Sequence, residues 1–153
     1  MPTKTNDPPR TPLGRAYADV HVPPRYERET QGVRVVVHPV YLAEQSVPDD
    51  HRYVWAYHVE IENGSDATVQ LRHRTWQIVD ATGRVEQVRG PGVVGEQPVL
   101  NPGETFEYTS GCPLSTSSGF MTGHYTFQRG EGTFDVAIPA FSLDRPDDDR
   151  VVN

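Results

Sequence analysis

Arg72 and Arg74 stand two residues apart, and Arg89 opens the stretch Gly90-Pro91-Gly92-Val93-Val94-Gly95-Glu96-Gln97-Pro98. A guanidinium presents a planar fork of donors to a carboxylate or a phosphate. Glycines accept positive φ and leave backbone amides open to close approach, while the prolines stiffen the path between them. In an extended chain residues two apart share a face, so Arg72 and Arg74 are expected side by side, with Arg89 at the mouth of the loop. Arg72, Arg74, Arg89, Gly90, Gly92, Gly95 and Glu96 are therefore the candidate residues for a ligand or partner. Phosphate or pyrophosphate is the small anion such a set would suit. The competing account is that the arginines pair with the chain's acidic excess and the glycines only shape a tight end of the fold.

Other chemistries find less support. The glycine stretch has the letters G-x-G-x-x-G, but a dinucleotide turn needs a strand before it and a helix opening at the third glycine. Gln97-Pro98 and then Asn101-Pro102-Gly103 cannot continue a helix. Ser110, His124 and Asp135 would supply a nucleophile, a base and an orienting group only if the fold gathered them, and no G-x-S-x-G elbow is present. Cys112, followed by Pro113, is expected to be an inert, partly buried thiol. His21, His38, His51, His58, His73 and His124 show neither a helical i, i+4 pair nor the paired spacing of a zinc site. No catalytic residue, cofactor or metal is assigned, and a protein without enzymatic activity is expected.

The elements that must position these residues are short. Fourteen prolines and thirteen glycines in 153 residues favour strands and turns over long helices, and the length suits one domain. The longest apolar runs, such as Val35-Val36-Val37, fall far below the roughly 18 residues of a membrane span. No apolar segment of a secretory kind opens the chain, and one cysteine allows no internal disulfide, so a cytoplasmic protein is expected. The formal net charge is −7; between Gly32 and Leu143 seven arginines and no lysine face thirteen acidic residues, a balance of −6. That field repels a nucleic-acid backbone and argues against non-specific binding to DNA or RNA.

Along the chain, residues 1–31 are proline-rich with few large apolar side chains and are expected to form an extended or disordered arm. Val33, Val35 and Val37 alternate with Arg34, Val36 and His38 as in a half-buried strand, and Pro39 implies an edge or a bulge. In Tyr53–Glu62 the odd members Tyr53, Trp55, Tyr57, Val59 and Ile61 form the core face. Asn63-Gly64-Ser65-Asp66 is a turn, and Thr68–Leu71 and Trp76–Asp80 read as two short strands. Val85–Val88 leads to the glycine loop, and two strands flank Arg129-Gly130-Glu131-Gly132. Seven to eight strands at roughly ten-residue intervals predict an all-β sandwich over 32–143, fibronectin type III- or immunoglobulin-like, with an acidic tail over 144–153. Each buried Trp or Tyr removes about 150–250 Å² from water, so Trp55, Tyr57, Trp76, Phe106 and Tyr108 would supply much of the core.

The blocks Val54-Trp55-Ala56-Tyr57, Ile61-Glu62-Asn63, Val69-Gln70-Leu71 with Arg74 and Trp76, and Gly90–Pro98 occur in that order. Leu100–Glu104, Tyr108–Gly111, Met121–Tyr125 and Ile138–Phe141 follow. Together they resemble the ApaG family across the whole expected domain. The resemblance implies a fibronectin type III-like sandwich. It also implies a link to cobalt resistance and magnesium efflux without transport machinery, and, from related domains in F-box and DNA-polymerase-interacting proteins, protein recognition. The arm before Gly32 departs from the family pattern. The function expected is a non-enzymatic module for protein–protein recognition, its partner unidentified, with small-anion binding or hydrolysis at the glycine loop as the alternative. No membrane partner is expected, and self-association into a homo-oligomer stays open.

Overall fold

The computed structural model describes residues 24–146. Nine strands follow one another: β1 (Tyr26–Thr30), β2 (Val33–Tyr41), β3 (Tyr53–Asn63), β4 (Val69–Asp80), β5 (Val85–Pro91), β6 (Val99–Leu100), β7 (Thr105–Leu114), β8 (Ser118–Arg129) and β9 (Gly132–Asp144). The helical elements among the described residues are two single 3-10 turns, Ala43–Gln45 and Pro48–Asp50. No helix there is long and apolar enough to cross a membrane. One sheet has the order β1-β2-β3-β7 and the other β5-β4-β8-β9, with β6 paired to the start of β4. Every pairing is antiparallel. This is the expected all-β sandwich, with β6 as a short addition to the seven or eight strands predicted.

The core lies between the sheets. On β3 the inward set is Trp55, Tyr57, Val59 and Ile61, as the alternation predicts, while Tyr53 packs half-buried at its margin. Across from them Trp76 meets Tyr57 and Phe141 edge-on, with ring centroids 5.5 and 6.0 Å apart. Trp55, 1% exposed, donates its indole N–H to the Asp144 carbonyl at 3.0 Å. At the sandwich end the buried Asn63 side chain joins three segments. Its amide donates to the carbonyls of Ala67 and Leu100, and its oxygen accepts from the Ser65 amide and hydroxyl. A buried polar group so fully bonded carries little desolvation cost.

Two expectations about boundaries change. Residues 26–30, assigned to the N-terminal arm, form β1 on the edge of the first sheet. Tyr26 stacks on Phe141 with centroids 6.0 Å apart, and the Thr30 hydroxyl accepts the Ala137 amide at 3.2 Å. One aromatic anchor and a ladder of backbone bonds hold a segment whose other side chains are polar, which composition does not register. The remainder of the arm, 1–23, and the tail beyond 146 lie outside the described residues. Second, the strands expected at 68–71 and 76–80 are one strand, β4, with a register shift between Leu71 and His73. Pro39 sits beyond the end of β1, whose pairing stops at Val37, so it breaks no ladder on that side.

Deleting residues through Gln31 should lower unfolding stability by more than about 2 kcal/mol, well beyond ordinary surface effects, because it strips β1 from Phe141 and Ala137. Trp55→Ala should cost about 3–5 kcal/mol. Denaturant unfolding of both variants checks these values.

Candidate functional site

The sandwich closes on one side and opens on the other. β1 and β2 pack against β9, whereas β7 and β5 are edge strands that face each other without pairing. Between them lies a cleft with two lobes of about 280 and 220 Å³ that share Tyr57, Arg74, Trp76 and Ser110 in their walls. Val88, Cys112 and Met121 line the larger lobe, and Val94, Gly95 and Tyr108 line the smaller.

The bulge in β4 decides which arginine reaches this cleft. Arg72 is the extra residue between Leu71 and His73, so the alternation restarts and Arg74 joins Trp76 at the cleft wall. Arg72 reaches back to the Gln70 side-chain oxygen at 3.3 Å. The expected pairing of Arg72 with Arg74 on one face is therefore overturned by one inserted residue. Arg74 lies across Gly90, its cross-strand partner, where a Cβ would stand 3.0–3.1 Å from the guanidinium. Its NH1 donates to the carbonyls of Pro91 and Gly92 at 3.0 and 2.9 Å. Its Nε and NH2 have no acceptor and no acidic partner among the described residues.

Arg89 is not at the cleft. It pairs across from Thr75, is exposed, and donates to the Gln87 side chain at 3.3 Å. Strand alternation puts Val88 and Gly90 inward and Arg89 outward. Two of the loop amides are committed, Gly92 to the Arg72 carbonyl and Val93 to the Glu96 carbonyl, each at 2.8 Å, while those of Val94 and Gly95 have no acceptor among the described residues. With Arg89 turned outward and the Gly92 and Val93 amides used within the fold, the phosphate cradle expected of Arg89 and the amides of 92–95 is not assembled, and the tip amides of Val94 and Gly95 are the ones left open. Instead Val93–Glu96 is a hairpin tip in which Val94 and Gly95 both take positive φ, +42° and +82°. Gly95 suits that turn. Val94, a β-branched residue 54% exposed, sits there under strain. Gly92, at φ +62°, is packed so closely that an added Cβ would stand 2.2 Å from the Glu96 carbonyl oxygen. The Glu96 side chain is exposed at the loop's rim.

Polar groups lie in the wall of the cleft at Tyr57 and Tyr108 and, beneath it in the core, at Tyr125. The hydroxyls of Tyr108 and Tyr125 share a buried 2.5 Å hydrogen bond. Burial holds the phenols of Tyr57, Tyr108 and Tyr125 above their ordinary range, so they stay neutral, against a smaller opposing pull from the Arg74 charge. Burial also pushes the Cys112 thiol up to about 11, so it stays protonated at neutral pH as expected of an inert thiol. Ser110 lines this cleft, while His124 lines a shallow depression on the outer face with Thr75 and Gln77, 3.8 Å from Asp135. Ser110 belongs to β7 of the first sheet and faces the cleft, whereas His124 and Asp135 lie on the outer face of the second sheet, so the fold does not gather the three into a hydrolytic set.

Sequence reasoning missed the cleft's tyrosines and a second cluster, in which β2, β3 and β7 gather His38, His58, Glu60 and Glu107 on the outer face of the first sheet. The period of two along β3 places His58 and Glu60 on one face, but their neighbours come from strands far away in the chain.

An antiparallel sandwich with an open inter-sheet cleft and a pinned hairpin tip defines the class. Within it, residues 43–129 match the family described as the ApaG domain, and the chain belongs to that family. It is 58% identical over 129 residues to Protein ApaG of Mesorhizobium japonicum, covering 84% of this chain and 99% of that one. Protein ApaG of Rhodospirillum centenum is 63% identical over 122 residues, 79% of this chain and 94% of the relative. A crystal structure of a Bordetella pertussis protein designated ApaA superposes with a TM-score of 0.73 at 46% identity, covering 80% of this chain and 98% of that one.

Two outcomes follow. Gly92→Ala should destabilise the fold by more than about 1 kcal/mol, while Val94→Asn should raise stability by about 1 kcal/mol because asparagine accepts positive φ; thermal unfolding measures both. The unfolded chain loses the Cys112 proton near its ordinary value of 9.0, whereas the folded chain keeps it to about 11. Unfolding therefore releases protons above pH 9, and stability that is complete below pH 9 falls as the pH rises toward 11. The buried tyrosines act in the same direction from about pH 10. Denaturant midpoints measured from pH 8 to 11 check the slope.

Proposed function

We propose that this chain is a non-enzymatic recognition module that takes an extended segment of a partner protein at the open side of the sandwich. The observation that carries this reading is Arg74. Its guanidinium borders a cleft floored by Tyr57 and Trp76, and two of its three nitrogens are free of acceptors among the described residues. The flanking edges suit such a ligand. An extended segment can add to the edge of β7, unpaired among the described residues, place an apolar side chain over Trp76, and set a carboxylate against Arg74. The strained, exposed Val94 overhanging the smaller lobe supports a contact role for the tip. The indirect link to cobalt resistance and magnesium efflux that the resemblance implies would then run through the partner.

The alternative is a small anion held at the same arginine, supported by the neutral tyrosine hydroxyls nearby; the placement of Arg89 weighs against the pyrophosphate form of it. A library of displayed peptides selected on the immobilised chain separates the two, with Trp76 fluorescence following titration. Selected peptides should combine an acidic side chain or free C-terminal carboxylate with an apolar residue. Arg74→Gln should weaken them at least about tenfold, Arg74→Lys less, and Arg89→Ala not at all. Equal binding to wild type and Arg74→Gln would overturn the reading. Saturation by pyrophosphate with no peptide selected would replace it with the anion.

A further inference from the structure

We infer that the outer face of the first sheet holds a divalent transition-metal site, formed by His58, Glu60 and Glu107 with His38 as the fourth ligand. The register brings these residues together: His38 stands opposite His58, and Glu60 opposite Glu107, on the three adjacent strands β2, β3 and β7. One ligand atom each from His58, Glu60 and Glu107 lies within 4.8 Å of the others. Nε2 of His58 is 3.0 Å from a Glu107 oxygen, and Nε2 of His38 is 3.5 Å from a Glu60 oxygen. All four side chains are partly solvent-exposed and free to close by rotation around an ion at about 2.0–2.2 Å.

Two features separate this cluster from an ordinary solvated patch. First, its carboxylates have no arginine or lysine partner among the described residues. Arg34, one row away, is committed to Glu62 and Glu27 at 2.7 and 3.1 Å. Two negative charges are therefore left facing two imidazoles, which a dication neutralises. Second, His58 has an outer partner. Its Nδ1 lies 2.8 Å from the Thr109 hydroxyl, and donation there orients the ring and leaves the Nε2 lone pair for the metal. Two imidazoles and two carboxylates match zinc in a four-coordinate site; magnesium prefers six oxygens in an octahedron. The chain's net charge of −7 raises the local concentration of such cations.

Calorimetric titration of the full chain with Zn²⁺ tests this. One ion per chain, reversed by EDTA and not competed by millimolar Mg²⁺, is expected. His58→Ala and Glu107→Gln should each weaken binding at least about tenfold, the range seen when even an outer partner of a ligand is lost. His51→Ala, outside the cluster, should bind as wild type does. Circular dichroism of each variant should be unchanged, since the side chains lie on the solvent face. Absence of Zn²⁺ binding, half an ion per chain, or equal affinity in wild type and His58→Ala would overturn the site.

Discussion

The carbonyl of Arg72 accepts two hydrogen bonds, from the Gly92 amide at 2.8 Å and the Gln97 side-chain amide at 2.9 Å. The first of these carries the β4–β5 register one rung past the His73–Pro91 pair, at the residue that bulges from the pairing with β8. A regular strand would have continued the alternation of side chains. The bulge instead gives the long β5–β6 connection an anchor and resets the phase of β4, so that Arg74 enters the cleft. Arg74 then grips the carbonyls of Pro91 and Gly92, and the loop is held from both sides of one strand. The placement of the cleft's arginine and the anchoring of the loop at Gly92 and Gln97 both rest on this short stretch of β4.

Closure on one side and opening on the other divide the labour of the sandwich. Tyr26 on Phe141 and Thr30 on Ala137 draw β1 over β9, sealing the core where the sheets meet. On the far side no strand among the described residues bridges β5 and β7, so Tyr57, Trp76 and Cys112 stand just inside an opening rather than in the deep interior. Their near-complete burial keeps the phenols and thiol protonated, and Arg74 and Glu86 are the charged groups that border that apolar floor. Unlike charges at the surface, a guanidinium beside such a floor is weakly screened by salt.

β3 serves both regions. Its odd residues carry Tyr57 to the cleft and Trp55 to the core, while His58 and Glu60 point to the opposite face, where β2 and β7 add His38 and Glu107. Strand geometry alone keeps the two chemistries apart, on opposite faces of one sheet. A ligand at one is kept from touching the other by the sheet itself, although both hang on the same backbone.

The sequence by itself determined the fold class, the core faces of β3 and the β8–β9 hairpin, because period-two alternation and glycine turns are local properties of a chain. It also singled out Arg74 and the glycine loop, and the family resemblance followed from blocks such as Val54–Tyr57 and Gly90–Pro98. Only the tertiary structure decided that Arg72 and Arg74 part company, that Arg89 faces outward, and that Tyr26 anchors a ninth strand. A bulge leaves little mark in composition: one inserted residue reverses every side chain after it, and its position follows from pairing with distant strands. The clustering of His38 with His58, and of Glu60 with Glu107, has the same origin, since registers between strands far apart in the chain are settled by packing of the two sheets and not by any spacing along the sequence.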